Sequence, residues 1–207
     1  MSRHLDGKAG VAAALAVAKA IVDHDVALPH RAKLLVTIAE EVGQGASHGL
    51  GDEVAEMISV DNAVCAPGQH SIEHGVTIPM ADMTGPFDYH LTRRLCRLCA
   101  EADIPYARDT FRYYRSDVAA AIESGAGTRA ALVAFGLDSS HGWERTEIAS
   151  VRAVADLLGL WLQTDLTFAR WDATPFGPLR EFPSGQQPAP EEQWRRGADD
   201  DPSASSA

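Results

Sequence analysis

Glu40 and Glu41 lie side by side in Thr37–Ser47, TIAEEVGQGAS. Adjacent carboxylates can divide labour at one site: one holds a divalent cation, and the other stays unligated to take a proton from cation-bound water. Three more residues of compatible type lie far off in the chain, Asp6 in MSRHLDGK, Asp61 in VDNAVCAPG and His141 in GLDSSHGWERT. Carboxylate oxygens with an imidazole nitrogen make a donor set that suits zinc, cobalt or manganese. Two such ions held ~3.5–4 Å apart need a bridging carboxylate, a terminal carboxylate on each ion and histidine to complete the shell. Plainer readings stand beside this one. The glutamate pair could be solvated residues at a strand end, and Asp6 could cap a helix and favour its positive dipole end. Spacing alone does not choose between them.

The elements that must position these residues are readable as local patterns. Leu34, Leu35, Val36 and Ile38 form a short apolar run, which predicts a strand over Lys33–Ala39, buried on both faces and ending at the glutamates. Open α/β sheets bind ligands beyond the carboxyl ends of such strands. Successive strand residues face opposite ways, so Glu40 and Glu41 meet one site only if the chain turns there, as Gly43 and Gly45 allow. Upstream, Ala9–Asp23 is alanine-rich, with Val11, Leu15, Ala18 and Val22 at helical spacing. Downstream, Gly45–Gly51 reads as a glycine turn opening a short helix. Val54–Val60 reads as a strand delivering Asp61, and Ile72–Met83 as another strand.

Asp88–Ala102 predicts an amphipathic helix, with Leu91, Leu95, Leu98 and Cys99 on one face. Tyr106–Tyr113 predicts a strand, Val118–Glu123 a short helix, and Ala130–Phe135 a buried strand leading into Gly136–Thr146 with His141. The last helix is Glu147–Leu162, with Val151, Val154, Leu157, Leu158 and Trp161 inward. The expected fold class is α/β, a mixed sheet flanked by helices. Cys96 and Cys99 have the spacing of a redox pair but sit mid-helix, which makes them packing thiols.

A chain of 207 residues with 45% hydrophobic content fits one domain with a real core. Its net charge of −11 argues against nucleic acid or an anionic membrane as the main partner. Three cysteines form no disulfide framework and suit a reducing cytoplasm. The longest apolar run, Ala9–Val22, is too short to span a bilayer and carries Lys19, and the charged opening gives no signal peptide. Beyond about Thr164 the periodicity fades into Pro, Gly, Ser, Gln and acidic residues. The expected organisation is a catalytic domain over 1–166 and a largely disordered tail over 167–207, clearest from Pro183 onward.

Four segments in order, HLDGKAGVAAAL, TIAEEVGQGAS, VDNAVCAPG and GLDSSHGWERT, resemble the successive metal-site segments of the dinuclear aminopeptidases of peptidase family M42. That family includes glutamyl, deblocking and tetrahedral (TET) aminopeptidases. SRHLDGKAG, GPFDYHLTR and FRYYRSD are most similar to the branch associated with the osmoprotectant N-acetylglutaminylglutamine amide. The resemblance runs over about Ser2–Leu162. It implies that Asp6 bridges two metal ions, that Glu41 and His141 complete one of them, and that Asp61 is the terminal carboxylate on the other. It implies Glu40 as general base, and it places Ser116 and Asp117 near the substrate pocket. The implied cofactors are two divalent ions, zinc first, with cobalt or manganese as alternatives. The implied reaction is hydrolysis at a free peptide amino terminus: Glu40 deprotonates the bridging water and passes the proton to the leaving amine.

The family also uses a His-x-Asp strand and an inserted β-rich domain, and neither has a counterpart in these residues. The chain therefore matches the C-terminal part of such an enzyme, a partial zinc-aminopeptidase catalytic domain. Expected partners are a peptide or dipeptide substrate and either an N-terminal fragment of the same enzyme or a homo-oligomer. The alternative expectation is a catalytically inactive remnant or interaction module with weak metal binding.

Overall fold

The computed structural model describes residues Met1–Thr167, and the structure is given for those residues. The expected tail, from Phe168 on, lies outside them. In chain order the elements are β1 (Ser2–Arg3), α1 (Leu5–Asp23), β2 (Glu56–Val64), β3 (Val76–Pro79), β4 (Ala81–Asp82), β5 (Gly85–Pro86), α2 (Tyr89–Glu101), β6 (Tyr106–Asp109), α3 (Asp117–Glu123), β7 (Arg129–Leu137), β8 (Trp143–Glu144) and α4 (Ile148–Leu162). Single turns of 3-10 helix at Glu40–Val42 and Gly45–Ser47 lie between α1 and β2.

The main sheet has four strands in the order β2-β7-β3-β6. β2 and β7 run parallel, from Glu56↔Arg129 to Val64↔Leu137. β3 is antiparallel to β7 and parallel to β6, so the sheet is mixed, as expected. β7, RAALVAFGL, is apolar along almost its whole length because both of its faces are covered. Alternation along the strand sorts its side chains between two cores. Ala131, Val133, Phe135 and Leu137 join α1, α2 and α4 on one side. Ala130, Leu132 and Ala134 join Phe87, Phe111 and Val118 on the other.

The helices that cover the first face obey the sequence patterns to different degrees. In α4, Val154, Leu157 and Leu158 are buried, and in α2, Leu91, Leu95 and Cys99 are buried. α2 starts where Asp88 accepts a hydrogen bond from the Leu91 N–H at 2.8 Å, a side-chain cap. In α1 the buried stripe is Ala9, Ala13 and Val17, whereas Leu15 and Val22 point to solvent. The small residues win the inward position because α1 lies close on the sheet: a Cβ on Gly10 would stand 3.1 Å from a Val60 methyl. All three cysteines are free, and burial pushes the Cys99 thiol up to about 12, in keeping with a packing role.

The strand expected over Lys33–Ala39 does not form. The segment has no ladder partner among the described residues, and Leu34, Leu35, Val36 and Ile38 are 48%, 42%, 51% and 101% exposed. An apolar, β-branched run can be a strand only if a neighbour accepts its backbone hydrogen bonds. Other expected strands shift too, that over Tyr106–Tyr113 shortening to Tyr106–Asp109. β2 continues through Asp61 to Val64, so the aspartate sits within the strand. The strand expected over Ile72–Met83 is reduced to Val76–Pro79, followed by the small β4–β5 hairpin.

Candidate metal centre

Four separate segments converge on one point. Asp6 lies at the irregular start of α1, Glu40 and Glu41 in the first 3-10 turn, Asp61 in β2 and His141 in the loop between β7 and β8. Among the described residues, one ligand atom each from Asp6, Glu41 and His141 fall within 4.8 Å of one another. His141 Nε2 stands 2.9 Å from Glu41 Oε2 and 3.4 Å from Asp6 Oδ2. The chain is bent to achieve this. His141 has a φ of 63° and Ser139 of 60°, left-handed values that non-glycine residues adopt rarely and that gather at functional loops.

The glutamate pair turns as the site requires, by a 3-10 turn and not at a strand end. Asp117 holds that turn in place. Its carboxylate accepts hydrogen bonds from Thr37 Oγ1 at 2.6 Å and from the Ala46 N–H at 2.9 Å. The approach depends on Gly45, where a Cβ would run into the Asp117 carboxylate. Ser116, the other residue expected near a substrate, is buried, and its hydroxyl accepts the Val118 N–H at 3.3 Å as the cap of α3. Both side chains are engaged in structure, and Asp117 acts on the site through the glutamate turn.

Asp61 and Glu40 stand outside the three-residue cluster but are coupled to it electrostatically. Burial raises Asp61 well above the usual carboxylate range, and Glu40, Asp6 and Glu41 add to the shift. Burial likewise raises Asp6, with Glu41 contributing. Glu40 is pushed up to about 7 by burial and by Asp117, Glu41 and Asp6, while His141 opposes the shift. Several carboxylates crowded against one imidazole bear excess negative charge, and a divalent cation is what relieves it. The donor chemistry therefore fits a metal of the zinc, cobalt or manganese kind.

The raised carboxylates make a testable statement about the metal-free chain. Glu40 binds its proton more tightly folded, at about 7, than at its ordinary 4.5, so the folded state holds more protons between those values. Stability then falls as pH rises through that window, and the loss is complete above it. We expect the urea midpoint of the chelated chain to drop between about pH 5 and pH 8, and Glu40→Gln to flatten that slope. A midpoint that rises over the same range would contradict the charge crowding.

Two further residues shape the site. Asn62 donates to Asp61 Oδ1, by its backbone N–H at 2.7 Å and by Nδ2 at 3.2 Å, and it opposes the rise that burial imposes on Asp6. Glu144, one of the polar residues that follow β7 with Asp138, His141 and Arg145, is 1% exposed and accepts the Asp6 N–H at 3.0 Å.

The fold is an α/β one, a mixed sheet flanked by helices, with a carboxylate–imidazole cluster assembled from separate segments. The TET1 peptidase of Pyrococcus horikoshii superposes with a TM-score of 0.64 at 19% identity, over 78% of this chain and 49% of that one. The aminopeptidase APDkam598 of Desulfurococcus kamchatkensis superposes with a TM-score of 0.67 at 18% identity, over 78% and 48%. These likenesses establish the fold. In sequence, YhfE of Bacillus subtilis (strain 168), a candidate aminopeptidase by name, is 37% identical over 165 residues, 80% of this chain and 48% of its own length. The model of the M42 glutamyl aminopeptidase family matches residues 1–157, and the chain belongs to that family. It spans about half the length of the relatives it matches. No helix among the described residues is long and apolar enough to cross a membrane.

Proposed function

We propose that the chain supplies the principal metal-holding half of an aminopeptidase active site that hydrolyses peptides from a free amino terminus. One observation carries the reading: Asp6, Glu41 and His141 are drawn within ligand distance from sites up to 135 positions apart, with Glu40 beside them. In this reading Asp6, Glu41 and His141 hold one ion, and Asp6 and Asp61 serve a second. Bound divalent ions would supply Lewis-acid polarisation of the scissile carbonyl and a water acidified toward neutral pH. Glu40 takes a proton from the attacking water and returns it to the leaving amine. Asp117 keeps the glutamate turn at the site, and any contact that Ser116 or Asp117 makes with substrate is secondary to that. SRHLDGKAG, GPFDYHLTR and FRYYRSD support membership of the osmoprotectant-associated branch, and a small peptide or dipeptide as substrate.

The exposed apolar run Leu34–Ile38 favours a companion reading, that this chain acts with a partner and is inactive alone. Because the chain spans about half of its relatives, the occupant we propose is the remaining N-terminal half, contributing a strand against this run. Absent that half, the chain is an inactive interaction module that keeps the ion held by Asp6, Glu41 and His141 and binds the second only weakly. TET1 of P. horikoshii is described as assembling into a tetrahedron or a large octahedral shell, and homo-oligomerisation is the other way of covering such a surface.

The test is metal stoichiometry of the full chain by elemental analysis after dialysis, with Glu41→Ala and His141→Ala beside it. We expect retained zinc or cobalt in the wild type and its loss in both variants. Equal metal in all three would sink the site. Two tightly held ions in the isolated chain would sink the half-site reading and call for direct aminopeptidase assays.

A further inference from the structure

We infer that Glu144 is a positioning residue for the Asp6 carboxylate, locking the Asp6 segment and the His141 loop into one unit. The inference rests on the metal-site reading above. Glu144 is 1% exposed, and no Lys, Arg or His among the described residues lies within ion-pair distance of its carboxylate. A buried carboxylate without a cation is costly, and it persists only where hydrogen bonds replace its water. Here they come from the backbone: Oε2 accepts the N–H of Leu5 and the N–H of Asp6, the latter at 3.0 Å.

Those two N–H groups are free to donate because the start of α1 is not helical. His4 is left-handed at φ 61°, Asp6 is extended at φ −51°, ψ 122°, and Gly7 is left-handed at φ 73°. Such a kinked start holds no single conformation by its own hydrogen bonding, since the first N–H groups of a helix have no internal partner. Glu144 supplies the partner. Its own register is set by pairing of β8 with β1, Ser2↔Glu144 and Arg3↔Trp143.

The other end of β8 leads back to His141. Arg145 closes that loop, bonding Asp138 at 3.2 Å and Glu73 at 2.7 Å, with Asp138 and Arg145 also exchanging backbone hydrogen bonds. One short strand therefore fixes both sides of the 3.4 Å approach between His141 Nε2 and Asp6 Oδ2. A cap that served only helix stability could sit on any helix start. This one sits on the residue whose side chain enters the cluster.

The experiment titrates cobalt(II) into the dialysed full chain, following its visible absorption, for wild type, Glu144→Ala and Glu144→Gln. We expect Glu144→Ala to weaken binding about 10–100-fold and alter the cobalt spectrum, as loss of a residue that orients a ligand does. Glu144→Gln keeps an oxygen able to accept both N–H groups and should retain most of the affinity. An unchanged affinity and spectrum in Glu144→Ala overturns the proposal. Amide hydrogen exchange at Leu5 and Asp6 in the metal-free wild type is the second arm, in case the alanine variant does not fold. Protection of both supports the proposal, and exchange at the open-chain rate overturns it. A wild type that binds no cobalt sinks the metal-site reading instead, while the exchange arm still decides the role of Glu144 in holding Asp6.

Discussion

Glu40→Gln, assayed in a preparation that hydrolyses peptides, is expected to lower kcat by about 10²–10⁴-fold with metal content unchanged. Glutamine matches the shape of glutamate but cannot take a proton. Glu40 lies beside the Asp6–Glu41–His141 cluster without belonging to it, so its loss should leave the ligands in place. Its surroundings suit the task. In the metal-free chain, burial and the charges of Asp117, Glu41 and Asp6 raise its affinity for a proton, the direction a general base needs. The two measurements separate the roles. A fall in kcat with full metal occupancy marks a proton carrier, whereas a parallel loss of metal would make Glu40 a ligand. An unchanged kcat would remove it from the reaction altogether.

Gly136→Ala is expected to destabilise the chain by about 3 kcal/mol, the upper end for overpacking a rigid interior. A Cβ at this position of β7 would run into the Ile72 carbonyl oxygen and stand 2.8 Å from the Glu73 Cα. Both are backbone atoms, so no side-chain rotation relieves the clash. The site is also tied down on its own strand. Ser150 Oγ accepts the Gly136 N–H at 2.8 Å and donates to the Gly75 carbonyl at 2.6 Å, and Thr146 Oγ1 donates to the Gly136 carbonyl at 2.6 Å. Shifting β7 strains all three bonds and moves the loop that carries His141. Gly127→Ala is the control, since nothing lies within 4 Å of its Cβ. Urea midpoints that agree between the two variants would refute the packing argument.

The site was legible in the sequence where chemistry is local. Two adjacent glutamates followed by glycines announce a turn that presents carboxylates, and that turn is present, though as 3-10 helix. The helices α2 and α4 were legible because their apolar spacing matches the burial they achieve. α1 was misread in its facing, because alanines and a glycine are buried there by close approach while Leu15 and Val22 remain outside. The Lys33–Ala39 strand was misread because strand formation depends on a partner that composition cannot reveal. Glu144 is legible as a polar residue after a buried strand, but its burial and its partners are not. Its role exists only once β8 pairs with β1, a contact between residues about 140 positions apart, and nothing in WERT distinguishes a buried carboxylate from a solvated one.

On the proposed reading, the separation between Asp6 and His141 would tie the protein's lifetime to its metal supply. Asp6 and His141 meet only when α1, the sheet and the β7–β8 loop are all assembled, so the unfolded chain offers no comparable site. A metal held there would stabilise the folded form by mass action, about 2.7 kcal/mol when free metal is 100 times its Kd. The fraction of molecules open to proteolysis would fall by about the same hundredfold. On that reading, the abundance of this chain in a cell would rise and fall with the metal available to it.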